Sequence, residues 1–475
     1  MKRWCLPLLL LTACGGGDVF QVDEDIGGYG DYTIFSDTEG QRDDAAPDGT
    51  EPWDADPRDP DDGIAPEDAE APDLAPDGEA PDAVAPPDAA GPDVPTDVTS
   101  VTPTFVTDLA AEDVGDETPW AAVWRLTFTH PGLTADEFIE TTRQTDPDVV
   151  TFFGDNEPPP GSVLLYEGPG CADAPAHATL LVHGAGSHAS ESWITPPDLL
   201  GPGHGKTLMD QGTCVWAVTF PHPFGDCFNQ AIQVAAATQA IQARGGAEEI
   251  TLVAHSKGWI AVVAWLSGFA DEARGLAAPA PASIHRLILL GVPLGGTDFN
   301  FRHPAFNYSV DLLSLRMPSA WDQILEWGAW KDVLDESVYG GAFPGVLQIT
   351  AAWDDTYDLS TWESDWYTTY YGGQGFVSHS LGIGEAIALG GAFMADFREH
   401  PLPESIPVRV ASGGNPSFNG VVWEATGPSD GLVFQASAED LTVVPGLEDL
   451  HHFPLANHLA LLHLGTVFEW MTELP

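Results

Sequence analysis

Positive charge is scarce in this chain. Lysine and arginine together number 16 in 475 residues, against 72 aspartates and glutamates, and the formal net charge is −56. A chain so acidic offers little to phosphates, which require Lys and Arg, so a nucleic-acid partner is excluded. Cysteine is scarce too, and five of them in this length do not make a disulfide scaffold. No His/Cys/carboxylate spacing resembles a zinc site, and no metal is expected. The apolar run at the start, Trp4 to Leu11, is too short to cross a bilayer, which takes about 20 residues.

That short run still has a use. Lys2 and Arg3 precede it, as in an export signal covering residues 1–13. It ends in Leu11-Thr12-Ala13-Cys14, followed by Gly15, Gly16 and Gly17. The string resembles the lipobox of bacterial lipoproteins. The resemblance implies acylation of Cys14 and attachment to a membrane through that lipid. It implies an exported lipoprotein of a Gram-negative envelope, at the outer membrane or cell surface. An ordinary secretory signal with a chance cysteine is the alternative.

Residues 14–117 read as a tether. About half of the net charge lies here, with repeated Ala-Pro-Asp units such as Ala71-Pro72-Asp73, Ala75-Pro76-Asp77 and Ala80-Pro81-Asp82. Such a stretch buries too little apolar surface to offset the entropy of ordering. Proline and self-repelling charge keep it extended.

Residues 118–475 read as one globular domain. Short apolar runs at Trp124–His130, Ser162–Tyr166, Ala178–Gly184, Cys214–Phe220, Ile250–Ala254, Ile284–Gly291 and Pro407–Ser412 are expected strands. Helices are expected at Asn229–Arg244, Gly258–Ala273 and Leu455–Thr472. The alternation predicts an α/β fold with a mainly parallel sheet covered on both faces. Sites in such sheets lie at the carboxyl ends of the strands, where His183, Ser256 and Gly291 fall.

Ser256 is the organising residue. It follows the strand Ile250–Ala254 at once and precedes an apolar helix, in the pattern Ala254-His255-Ser256-Lys257-Gly258. A serine on so sharp a turn needs small flanks, and the helix start aims backbone N–H groups at a nearby anion. Three further strings accompany it: Val182-His183-Gly184-Ala185-Gly186, Gly291-Val-Pro-Leu-Gly-Gly-Thr297 and Gly427-Pro-Ser-Asp430-Gly431. With these, the chain from about Gly161 onward resembles the α/β-hydrolase superfamily, and bacterial lipases and esterases within it. Val292, where threonine is usual, is a mild departure.

The resemblance implies an α/β-hydrolase fold, a carboxylic ester substrate, a lipid or acyl ester above all, and no cofactor. It also implies a Ser-Asp-His triad in that chain order. A hydroxyl becomes a nucleophile when an imidazole takes its proton, and a carboxylate fixes that imidazole. Ser256 is the nucleophile. Asp430, in a turn beside Gly431, is the best-placed acid, with Asp440 and Asp449 as rivals. His458 is the base, expected to open the last helix; His451, His452 and His463 are its neighbours. The oxyanion donors are the backbone N–H groups of Ala185 and Lys257. His183 and His255 are read as structural. A Ser-Lys pairing through Lys257 is disfavoured, since adjacent residues on a helix start point apart.

Residues 299–406 exceed what one crossover helix needs and are rich in Trp and Tyr, as a cap would be. Most of these aromatics are expected to form the cap's own core. Cys171 pairs more plausibly with Cys214 than Cys227 does, because Cys214 and Cys227 lie beyond a disulfide's reach. Acyl transfer to an alcohol, peptide hydrolysis and a non-catalytic binding role remain alternative functions.

Overall fold

The computed structural model describes the backbone of residues 104–110 and residues 118–473, apart from 173–174, 198–200, 246 and 419–420. All of these belong to the unit Pro86–Pro475. The export signal, Cys14 and most of the tether lie outside the described residues.

Nine strands form one sheet: β1 Thr104–Ala110, β2 Ala122–Thr127, β3 Ser162–Glu167, β4 His177–Val182, β5 Val215–Thr219, β6 Glu249–His255, β7 Ile284–Leu290, β8 Val408–Gly413 and β9 Leu447–Phe453. Their spatial order is β1-β2-β3-β5-β4-β6-β7-β8-β9. The first three and β5 pair antiparallel. From β5 onward every pairing is parallel. This is the mainly parallel α/β sheet that the sequence predicts, antiparallel at one edge, with the crossover of β4 and β5 near its middle.

The central strands are buried on both faces, which is why they read as unbroken apolar runs. Ile250, Leu252 and Ala254 of β6 pack into one core cluster, with Trp259, Trp265 and the helix Cys227–Gly245. Val253 points the other way, into a cluster with Trp193, Leu208 and Trp470. β4 and β5 alternate likewise: Leu180 and Val218 go to the first cluster, Leu181 and Ala217 to the second. A period of two side chains per repeat thus builds two cores from one sheet.

Three expectations about strands and helices need correction. β1 lies inside the stretch read as tether: its Thr104-Phe-Val-Thr run is a short β-prone island in acidic sequence. The helix expected over Gly258–Ala273 is two, Gly258–Leu266 and Phe269–Arg274, divided at Gly268 with φ +83°. The last helix is only Gly465–Thr472. The segment before it is turns and a short 3₁₀ piece, Ala460–Leu462, and it follows β9, which was not anticipated.

The cap lies between β7 and β8. It contains the helices Phe299–Arg302 and Pro304–Leu313 and a small four-stranded sheet that includes the hairpin Gln323–Glu326 and Ala329–Asp332. Trp321 and Tyr370 are buried in it, but Trp327 is 96% exposed and Trp362 79%. Trp330, Tyr367 and Tyr371 are exposed as well. Most of the cap's Trp and Tyr residues are therefore not buried in its core, contrary to expectation; its buried aromatics are chiefly phenylalanines such as Phe301 and Phe343.

Cys171 and Cys214 are disulfide-bonded with their Cα atoms 4.4 Å apart, and Cys227 is free and buried. The bridge joins the segment after β3 to the start of β5 across 43 residues. Closing a loop of that size stabilises the fold by about 2–4 kcal/mol. The Cys171→Ala/Cys214→Ala variant should lose that much in urea unfolding, and reductant should lower wild type to the same level while leaving the variant unchanged. A wild-type curve indifferent to reductant would show that the bridge contributes nothing.

Candidate functional site

Ser256 stands between the end of β6 and the helix Gly258–Leu266, with φ +50°. A left-handed backbone on a non-glycine residue costs roughly 1–3 kcal/mol and persists only where the surroundings over-determine it. Here they do. The Ser256 N–H donates to the Leu290 carbonyl at 3.1 Å, tying the turn to β7. A Cβ on Gly258 would lie 2.3 Å from the His183 carbonyl oxygen, and one on Gly184 would lie 2.7 Å from the Ser256 Cβ. The loop after β4 and the turn after β6 thus pack backbone to backbone, and only glycine fits at those two contacts. Ala254, two residues before Ser256, is still part of the strand and fully buried in the first core.

Asp430 and His458 meet, although they lie on separate loops after β8 and β9. His458 Nδ1 and Asp430 Oδ2 are 2.8 Å apart and both residues are buried. A second bond runs through backbone, from the His458 N–H to the Asp430 carbonyl at 2.9 Å. The other carboxylate oxygen, Oδ1, accepts from the N–H groups of Leu432 and Val433 at 3.0 and 2.8 Å. The carboxylate is therefore held at both oxygens. With Nδ1 donating to the carboxylate, the other ring nitrogen of His458 is available for proton transfer. Gly291, with φ +56°, lies against this pair: a Cβ there would sit 3.2 Å from Asp430 Oδ2 and 3.3 Å from His458 Nδ1.

The rival residues are occupied elsewhere. Asp440 caps the 3₁₀ turn Leu441–Val443 and pairs with Arg398. Asp449 bonds Arg409 and Trp470. His452 Nδ1 lies 2.9 Å from Ser412 Oγ, and His451 packs on Phe453 and Trp470. Lys257 Nζ is buried and donates to the Gly225 carbonyl at 2.9 Å and to Gln230 Oε1 at 2.6 Å. Burial lowers its pKa, yet its amine is committed to those two acceptors.

Ser256, His458, Gly184 and Ala185 border one cavity of about 440 Å³. Phe224, Phe306, Met317, Trp423, Leu432 and Leu459 supply most of its wall, with Arg316 and Glu191 as its charged members. A larger hollow of about 730 Å³, bordered by Thr118, Lys206, Met209 and Asp210, holds no nucleophile and base together.

Three buried histidines hold this site without belonging to its chemistry. His183 Nδ1 donates to the Gly184 carbonyl at 2.7 Å, and its Nε2 accepts from the Phe220 N–H at 3.2 Å. Only a neutral ring does both. His255 Nε2 donates to the His458 carbonyl at 3.0 Å. His204 Nε2 donates to the Leu461 carbonyl at 3.0 Å, bracing the segment that carries His458. Burial holds all three neutral: the pKa of His183 falls to about 3, that of His204 to about 4, and that of His255 well below 6.5. The structural roles expected of His183 and His255 agree with these bonds. His204 was missed, because a histidine opening a surface-like Gly203-His204-Gly205 string carries no signal in sequence.

A second support reaches the acid loop from the cap. The buried Glu424 carboxylate pairs with Arg302 Nε at 3.2 Å and His303 Nε2 at 2.9 Å. The Glu424 carbonyl accepts from Ser429 Oγ, next to Asp430, at 2.7 Å. Arg302 also donates to the Tyr357 carbonyl at 2.7 Å.

No protein-family model and no curated protein matches the chain. Solved structures do resemble it in outline. A Bacillus licheniformis lipase, BlEst2 in its mature form, is 16% identical with a TM-score of 0.35, over 70% of this chain and 94% of that one. Est1E from Butyrivibrio proteoclasticus is 14% identical with a TM-score of 0.33, over 65% of this chain and 91% of its own. A thermostable carboxyl esterase from Bacillus coagulans is 14% identical with a TM-score of 0.30, over 62% and 86%. Likeness at this level says nothing of activity.

The neutral histidines generate a pH prediction. A histidine whose folded pKa is depressed binds more protons unfolded, so its stability contribution is full above about 6.5 and is lost as pH falls toward the folded value. For His204 the window is pH 6.5 down to about 4, worth about 1.4 kcal/mol per pH unit. His204→Gln keeps a donor for Leu461 and removes the titration. Its urea-derived stability should fall between pH 6 and 5 with a slope shallower than wild type by nearly one proton. Equal slopes would mean that His204 is not buried as a neutral ring.

Proposed function

We propose that this chain is a serine hydrolase that cleaves carboxylic esters. The observation that carries the proposal is the buried 2.8 Å bond from His458 to Asp430, beside a cavity that also receives a serine on a left-handed strand-to-helix turn. In this reading His458 takes the Ser256 proton as the oxygen attacks the ester carbonyl, forming a tetrahedral oxyanion. The backbone N–H groups of Ala185 and Lys257 stabilise that charge, their positions set by the Gly184 and Gly258 contacts. His458 then protonates the leaving alcohol. Water, activated by the same imidazole, releases the acid from the acyl-enzyme. Asp430 keeps the ring in the Nδ1–H tautomer and stabilises the imidazolium that forms twice per cycle.

The cavity wall favours an acyl group over a charged substrate. Its Phe224, Phe306, Met317 and Trp423 side chains offer apolar area to a hydrocarbon chain, with few polar atoms to satisfy. The N-terminal part of the proposal, export and acylation at Cys14 as a membrane anchor, rests on the sequence alone. The mass of the mature N-terminal peptide tests it: an unmodified Cys14 would sink it.

Turnover of short- and long-chain p-nitrophenyl esters tests the catalytic assignment. Wild type should hydrolyse them, and Ser256→Ala should lose at least about 10⁴-fold in kcat. Asp430→Asn should lose about as much, since the wrong tautomer is then favoured. If wild type turns over no ester, or if Ser256→Ala retains wild-type rate, the assignment fails.

A further inference from the structure

At the end of the sheet opposite Ser256, three parallel strands begin side by side, and each brings a metal-ligating side chain. His177 opens β4, Glu249 opens β6, and His285 is the second residue of β7. The registers align them: His177 is opposite Glu249, and Ile250 is opposite Ile284. His285 Nδ1 lies 3.3 Å from Glu249 Oε2, and His177 Nδ1 lies 4.0 Å from the same oxygen. The two imidazoles meet edge to face with centroids 4.5 Å apart. One donor atom from each residue can be chosen so that all three lie within 4.8 Å of one another.

We propose that His177, Glu249 and His285 form a binding site for a borderline divalent cation, zinc above all. Ligands held at about 2.0–2.1 Å on a tetrahedral ion are about 3.3–3.4 Å apart. The His285–Glu249 separation already equals that edge, and the His177–Glu249 separation exceeds it by a small side-chain rotation. Two imidazoles and one carboxylate suit zinc, nickel or copper, whereas magnesium and calcium prefer all-oxygen sets. The second coordination layer is also present. His177 Nε2 is 3.0 Å from the buried Thr251 hydroxyl. With that nitrogen bonded to the hydroxyl as a donor, Nδ1 turns its lone pair toward Glu249 and His285, as metal-bound histidines are usually held. All three side chains are accessible, so a solvent molecule completes the coordination. The ion would clasp the starts of β4, β6 and β7 together, and it would act on stability rather than on ester cleavage.

Titration calorimetry of the chelator-treated full chain with zinc chloride tests this. Wild type should take up one equivalent of zinc that a large excess of magnesium does not displace. The His177→Ala/His285→Ala variant should lose that equivalent while keeping its near-UV circular dichroism. Thr251→Val should keep the stoichiometry and bind about 10–100-fold more weakly, because only the support of His177 is removed. Melting temperature should rise with zinc in wild type and stay put in the double variant. A wild-type chain that takes up no zinc overturns the proposal. So does a double variant that binds as wild type does, since the ion would then lie elsewhere. If Glu249 merely pairs with protonated histidine, no equivalent of zinc is bound at all.

Discussion

The close approach of two backbones governs this molecule. The loop after β4 and the turn after β6 touch through Gly184, the His183 carbonyl, Ser256 and Gly258, with no room for a Cβ at either glycine. That contact keeps Ser256 in a left-handed conformation that an isolated chain would abandon. It also sets how far the Ala185 and Lys257 N–H groups can lie from the serine oxygen. The buried helix Gly258–Leu266 then locks the turn from below, since all nine of its residues are withdrawn from water. Strain at one residue is thus held by packing over a whole face of the sheet.

The remaining site residues are positioned by a different device. Asp430 and His458 come from loops, where backbone is softer than in strands, and both loops are pinned by buried polar side chains. His255 and His204 each donate to a carbonyl of the His458 segment. Arg302, His303 and Glu424 hold the segment leading to Asp430. Such groups are costly to bury unless every bond is made. Their arrangement therefore specifies one loop geometry rather than adding much net stability. It also ties the Asp430 loop to the cap, because Arg302 belongs to the first cap helix.

Much of this was legible in the sequence, for physical reasons that can be named. The strands β4 to β7 are buried on both faces, so their apolar runs stood out, and so did the serine that ends β6. Asp430 and Gly431 announce a turn by composition, and both lie in one. The final segment misled. Leu455 to Thr472 has helical spacing of apolar residues, but Asn457 and the 3₁₀ piece Ala460–Leu462 place His458 in a turn fixed by tertiary bonds. β9 was hidden because Leu-Glu-Asp-Leu-His-His-Phe is a half-exposed edge strand whose charged residues mask its period. The pairing of His458 with Asp430 against several neighbours depends on contacts between distant loops, which no local pattern records. The histidines and glutamate at the opposite end of the sheet escaped for the same reason: they are joined by strand register, not by spacing along the chain.

The outermost strand has a practical side. β1 pairs with β2 from end to end, six of its residues opposite Ala122–Thr127 across an irregularity between Phe105 and Thr107. A chain trimmed to residue 118, where composition places the start of the domain, would strip β2 of that partner. The bare row of N–H and C=O groups on β2 would then be free to recruit a second molecule, edge to edge, and the trimmed protein would tend to clump where the longer one stays dispersed. The acidic stretch just upstream would be lost in the same cut, and with it a source of repulsion between molecules. Where the domain ends in composition and where it ends in hydrogen bonding are different places, and solubility follows the second.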